Sequence, residues 1–295
     1  MSKNKKHSGQ NAESTGMNRK LSRKLSSFLL VIVFLAGLSL MLYPTVSDVW
    51  NSYHSSQAIN SYAESVYAIS DEEYSEYIEA AYDYNRRMAA KGTQFHLTEE
   101  EAAEYNAILD INGTGIMGYI NIPKIEVSMP IYHGVDESVL SKAAGHVEWS
   151  SLPVGGESTH IVLSGHRGLP SAKLFTSLDK LVEGDLFMLK VMNETYTYQV
   201  DQILVVLPDE TDDLAIIDGE DHCTLVTCTP YGINTHRLLV RGVRTENLPD
   251  TPDIIIISDA RQVRPILVAI MIGVPMYIVF LAFSSIFKKK RKKYD

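Results

Sequence analysis

Two uncharged apolar runs bracket most of the chain and constrain its fold before anything else does: Leu25 to Tyr43, 19 residues, and Pro265 to Phe287, 23 residues. As a helix rising ~1.5 Å per residue the shorter run is about 28 Å long, and both suit a hydrocarbon core ~30 Å thick. Two transmembrane helices are therefore expected, at 25–43 and 265–287. A cleaved signal peptide is the alternative for the first run, because basic residues precede it. Against it stand the length of that basic stretch, the full-length apolar run and the lack of a small-x-small site before Pro44. A buried soluble helix is the alternative for the second, but the unbroken basic block from Lys288 to Lys293 reads as a stop-transfer anchor.

Charge is divided along the same boundaries. The overall balance of −9 conceals two basic tails, 1–24 and 288–295, that sum to +11, and a segment 44–264 that carries −20. By the positive-inside rule both tails lie in the cytoplasm and the acidic segment lies outside the cell. An acidic outer segment excludes nucleic acid as a natural partner, whereas the basic tails suit anionic lipid. Its 221 residues suffice for one core, or for a domain with an appendage.

Within the outer segment, no proline occurs between Pro44 and Pro123, and the texture is helical. Ser70-Asp-Glu-Glu73 and Thr98-Glu-Glu-Glu101 each fit a capping box. Tyr74, Tyr77, Ile78, Ala81, Asn85 and Met88 then recur at three and four, predicting an amphipathic helix to about Ala90. A second helix follows Thr98, and 91–97 join the two. From Ile116 the pattern turns to short strands: Gly118 to Ile122, Thr159 to Leu163, a hairpin of Leu186–Met192 with Thr195–Leu207, and a second of His222–Cys228 with His236–Val243. Pro123 and Pro130 restrict their strands to edges, starts or bulges. Ser171 to Leu181 reads as one helix with Leu174, Phe175, Leu178 and Leu181 on a single face. Many short strands with one intervening helix suggest a closed or nearly closed β-barrel. Asn247 to Asp253, with two prolines, reads as an extended linker back to the membrane.

The two cysteines, Cys223 and Cys228, lie five apart on a predicted strand, so they would stand ~16 Å apart on opposite faces and cannot be bridged. A buried Cys is commonly an inert hydrophobe, and Cys223, inside the strand, fits that role. Cys228 ends the strand beside a loop containing Pro230 and Gly232. A thiol that serves as nucleophile needs a basic or cationic neighbour. Of nine histidines only His166 sits just past a strand end in a glycine-flanked loop, Gly165-His-Arg-Gly168. Arg237 begins the strand that would run back beside Cys228, with Arg241 and Arg244 as rivals on the same strand. No His/Cys/Asp/Glu spacing suggests a structural zinc site. No metal or other cofactor is expected.

Thr224-Leu-Val-Thr-Cys228, with Arg237 nine residues later and Gly165-His166 upstream, resembles the sortases. Gly118-Tyr-Ile-Asn-Ile-Pro-Lys-Ile125, Pro130-Ile-Tyr-His-Gly134, Ser151-Leu-Pro-Val-Gly-Gly156 and Gly165-His-Arg-Gly-Leu-Pro170 resemble the class C, pilus-assembling members, as does the layout of two anchors around a catalytic domain. The resemblance implies a mainly β fold, an eight-stranded sortase barrel with an N-terminal helical appendage and two flanking transmembrane helices. It divides the chain into a basic tail (1–24), a transmembrane helix (25–43), a helical region with a possible degenerate lid (44–112), a catalytic barrel (113–246), a linker (247–264), a second transmembrane helix (265–287) and a basic tail (288–295).

It further implies a cysteine transpeptidase that cuts a Leu-Pro-x-Thr-Gly-like sorting signal between Thr and Gly. Cys228 would be the nucleophile, His166 the acid and then base, and Arg237 the support for substrate and oxyanion. The acyl group would pass to a Lys amine of another pilin. The alternatives are a sortase that joins surface proteins to peptidoglycan, and a non-enzymatic tethered domain. One departure stands out: class C lids are anchored by an Asp-Pro-aromatic motif, and no Asp-Pro occurs between Pro44 and Pro123. A Cys228 more accessible than in lidded relatives is expected, with slow thiol labelling that recovers on deletion of 91–112 as the contrary result.

Overall fold

The computed structural model describes residues 8–92, 95–247 and 274–275. The linker beyond Asn247, the tails at 1–7 and 288–295 and, apart from Val274 and Pro275, the apolar run 265–287 lie outside the described residues. Three helices precede the strands: α1 (Ser8–Ala68), α2 (Asp71–Lys91) and α3 (Glu99–Ala107). From Phe28 onward α1 is long and apolar enough to cross a membrane, and its most apolar part is unburied. Pro44 falls inside this helix and does not end it. Both predicted capping boxes form. Ser70 and Thr98 accept from the backbone N–H of Glu73 and Glu101, whose carboxylates accept in return from the cap N–H at 2.9 Å.

The eight strands are β1 (Ile116–Ile122), β2 (Val127–His133), β3 (Ala144–His146), β4 (Thr159–Ser164), β5 (Leu186–Val191), β6 (Glu194–Val206), β7 (Asp221–Thr229) and β8 (His236–Thr245). They close into a barrel in the order β1-β2-β3-β4-β7-β8-β6-β5. The pairs β2/β3 and β4/β7 are parallel and the others antiparallel. Closure leaves no sheet edge exposed. Pro130 pairs with Tyr119 of β1, while pairing with β3 begins only at Ile131, so its missing N–H breaks no bond on that side. The β5–β6 hairpin turns at Met192-Asn193, one position earlier than its spacing predicts, with Met192 at a φ of 54°.

The predicted helix at Ser171–Leu181 does not form; only Leu178–Lys180 makes a single 3₁₀ turn. Its apolar spacing nevertheless reports burial correctly, since Leu174, Phe175, Leu178 and Leu181 all join the barrel core. Leu174 sits at a φ of 37°, which no α-helix accommodates.

The helices dock on the barrel through buried polar side chains as well as apolar contacts. Tyr62 of α1 donates its hydroxyl to the Met117 carbonyl and accepts from the Met192 N–H, both at 2.8 Å. Asn85 of α2 accepts from the Leu152 N–H at 2.7 Å and donates to the Leu152 carbonyl at 3.0 Å. Asn85 and Leu152 are almost wholly buried. Asn85→Ala leaves both backbone groups unpaired away from water, and a loss of ~3 kcal/mol in urea-unfolding stability is expected. An unchanged midpoint would show that the pair carries no net stability.

Candidate active site

β7 and β8 place Cys228 and Arg237 directly opposite one another in antiparallel register. Side chains of directly paired residues share a face of the sheet, so thiol and guanidinium emerge together at the rim. Cys228 is partly exposed, whereas Cys223 is completely buried. Both cysteines are free. Burial, with the charge of Asp221 adding to it, pushes the Cys223 thiol well above its ordinary pKa, so this side chain is a packing residue.

His166 is delivered to the same rim by β4, which runs parallel to β7 with Ser164 beside Val226. Beyond that pair two bonds continue the register: the Gly165 N–H donates to the Val226 carbonyl at 3.1 Å, and the buried Thr227 hydroxyl donates to the Gly165 carbonyl at 2.7 Å. The His166 loop thus starts from residues adjacent to Cys228. Gly165 is required here, because an added Cβ would lie 2.5 Å from Cδ2 of Phe175. His166 Nε2 lies 3.0 Å from Oε2 of Glu137, the first residue of a short helix, α4 (Glu137–Leu140). Glu137 carried no signal in the sequence, being one acid among many. Arg167, mostly buried, bonds to the Thr229 hydroxyl at 3.3 Å and pairs with Asp179 at 2.5 Å, a second tie between the two loops.

The rival arginines are engaged elsewhere. Arg241 forms a forked pair with Asp201, at 2.5 Å at the closest. Arg244 lies over the rings of Tyr196 and Tyr198 and donates to the Thr197 carbonyl. Arg237, by contrast, donates among the described residues to carbonyls of its own turn alone, Asn234 at 3.4 Å and His236 at 3.2 Å. Next to Cys228 and Arg237 the outer face of the sheet is apolar: Val226, Leu239 and Val206 pack with Val162, Leu214 and Trp149. Phe95, in the loop between α2 and α3, packs edge-on against Trp149, ring centroids 5.0 Å apart. Among the described residues no cluster of three His, Cys, Asp or Glu side chains forms a metal-holding group.

Other histidines serve the fold. His146 is bonded to Tyr105 Oη at 3.0 Å and the Ser151 carbonyl at 2.8 Å, and burial lowers its pKa to about 3. His160 lies between the Ala215 carbonyl at 2.9 Å and the Thr224 hydroxyl at 2.7 Å, and burial lowers its pKa to about 4. In the unfolded chain both titrate near ~6.5. As pH falls from there the unfolded state takes up protons that the folded state refuses, so stability is lost with acidification, down to the folded pKa values. The expected slope approaches ~1.4 kcal/mol per pH unit for each histidine. Urea midpoints between pH 7.5 and 4.5 check it, and a flat profile would refute it.

A sortase-domain family model matches residues 120–245. Among solved structures, sortase C1 of Streptococcus agalactiae is 53% identical, covering 65% of this chain and 100% of that one at a TM-score of 0.64. Sortase C of Clostridium perfringens, solved with the C-terminal cell wall sorting motif, is 44% identical, covering 65% and 99% at a TM-score of 0.58. Among curated relatives, sortase D of Bacillus subtilis is 32% identical over 130 residues, 43% of this chain and 63% of that protein. Sortase A of Streptococcus agalactiae is 31% identical over 130 residues, and the chain spans 52% of its length. The closed eight-stranded barrel brings Cys228, Arg237 and the start of the His166 loop to one rim. The chain belongs to the sortase family of cysteine transpeptidases.

Proposed function

We propose that this chain is a membrane-anchored transpeptidase, held by two helices with 44–264 outside the cell and both termini in the cytoplasm, that polymerises pilin subunits. The observation that carries the reading is the pairing of Cys228 with Arg237 across β7 and β8, beside the loop of His166. The substrate is a Leu-Pro-x-Thr-Gly-like signal. Its Leu and Pro suit the half-buried Val226 and Val206 on the apolar face that adjoins the thiol.

The Cys228 thiolate attacks the Thr carbonyl carbon, and the carbonyl electron pair moves to oxygen. Arg237, whose guanidinium donates to its own turn's carbonyls, stabilises that oxyanion. Collapse breaks the Thr–Gly bond as His166 gives its proton to the departing Gly amine, leaving a thioester on Cys228. An incoming Lys amine then passes a proton back to His166, attacks the thioester and expels the thiolate. An isopeptide bond results, with no net change in protonation of the protein. Similarity to the sortase C1 of a pilus island and to a Streptococcus pneumoniae sortase C described with its pilin substrate specificity supports pilin as the substrate.

The test incubates the full chain in nanodiscs with a pilin bearing the signal and follows covalent ladders. Ladders from wild type and none from Cys228→Ala support the proposal. Cleavage of the signal with transfer only to peptidoglycan-like amines moves the reading to cell-wall anchoring, and no cleavage at all overturns it.

A further inference from the structure

The segment Gly165–Thr176 leaves the rim with His166 and returns to the core without a regular helix. Its base is closed by two hydrogen bonds. The Phe175 N–H donates to the His166 carbonyl at 3.2 Å, and the Gly168 N–H donates to the Thr176 hydroxyl at 3.1 Å. Phe175 is fully buried and its ring abuts Gly165, so wherever Phe175 sits the backbone of His166 must follow. Phe175 in turn hangs from residues 171–173 through Leu174 and its left-handed backbone.

Those three residues are gripped by a helix more than a hundred positions earlier. Asn51 of α1 donates its side-chain amide to the Ser171 carbonyl at 2.7 Å, and Asp48 Oδ1 accepts from the Lys173 N–H at 2.8 Å. Asp48 and Asn51 are three apart, hence on one face of the helix. Both are half-buried. The same stretch of helix leaves its aromatic residues outside, with Trp50 65% and Tyr53 53% exposed. A surface helix ordinarily docks by its apolar face. Here the docked side chains are polar, so burial of apolar surface does not account for their choice. A carboxylate accepting a backbone N–H is among the stronger hydrogen bonds available, and it fixes direction as well as distance.

We infer that Asp48 and Asn51 are positioning residues: the membrane-proximal part of α1 sets where the His166 loop stands relative to Cys228. This rests on the transpeptidase reading for its kinetic consequence, though not for its structural one. Neither side chain reaches the reacting atoms, and each acts through the turn 171–173.

The experiment uses the full chain in phospholipid nanodiscs. For the double variant Asp48→Ala/Asn51→Ala, kcat for cleavage of a Leu-Pro-x-Thr-Gly peptide is expected to fall about 10-fold or more, since small displacements of a catalytic group are costly. KM stays within about twofold, because uniform binding is untouched. Alanine is a good helix former, so the helix itself persists. Asp48→Asn keeps an acceptor oxygen toward Lys173 and restores the rate, whereas Ser56→Ala, which removes a bond to Ser52 on the exposed side of the helix, changes nothing.

Hydrogen exchange gives a readout independent of turnover. The amides of Gly168 and Phe175 lose protection in the double variant while those of β7 keep theirs. Unchanged protection, or a rate loss that follows melting temperature and that Asp48→Asn does not restore, overturns the inference. A wild-type chain with no Cys228-dependent cleavage strikes the transpeptidase reading instead, and the exchange result still decides the positioning role.

Discussion

Cys228→Ala is expected to abolish the acyl-enzyme and to lower cleavage of a sorting-signal peptide by at least ~10⁴-fold, the scale of losing a nucleophile from a concerted site. The loss has no internal rescue. Cys223 lies on the same strand, but it is completely buried and its thiol is held protonated by burial and by Asp221. Strand alternation also sends it to the barrel interior, the face opposite Cys228. Intact-mass measurement on wild type with peptide should show the mass added by a thioester, discharged by hydroxylamine, and Cys228→Ala should show none. Cys228→Ser keeps the shape but substitutes a hydroxyl that stays protonated at neutral pH, so it should remain as inactive as the alanine variant. Retention of more than about 1% of the wild-type rate in Cys228→Ala would remove the thiol from the chemistry and with it the transpeptidase reading.

How far the sequence carried this site depends on whether its determinants are local. Both capping boxes were readable because a hydroxyl and a glutamate three residues apart satisfy each other without help from the rest of the chain. The hairpin that joins Cys228 to Arg237 was readable because alternation and a single turn determine register. Between Ser171 and Leu181 the local pattern misleads. Apolar residues recur at helical spacing there and are indeed buried, but the backbone is bent by Leu174 and tied by Asp48 and Asn51, residues no local window contains. Glu137 escaped for the same reason, since its approach to His166 arises from the fold and not from neighbourhood in sequence. The choice among Arg237, Arg241 and Arg244 was open in the sequence. In the structure Arg241 is engaged with Asp201 and Arg244 with two tyrosine rings.

That division among the arginines leads to the second large effect. Arg237→Ala is expected to lower kcat about 10²- to 10³-fold, as removal of one oxyanion donor does, with a smaller change in KM. Melting temperature should hardly move, because among the described residues Arg237 bonds to just the Asn234 and His236 carbonyls of its own partly exposed turn. Arg237→Lys should recover little of the rate: an ammonium retains the charge but not the planar fork that fixes a donor toward one oxygen. Arg241→Ala supplies the opposite pattern. It breaks a forked pair with Asp201 that is itself mostly buried, so stability should fall while kcat stays near wild type. Steady-state kinetics and melting curves on the three variants separate the roles. If Arg241→Ala lost turnover and Arg237→Ala lost stability, the oxyanion role would have to leave the rim residue opposite Cys228. If Arg237→Lys were fully active, Arg237 would act as a charge beside the thiolate and not as a directed donor to the oxyanion.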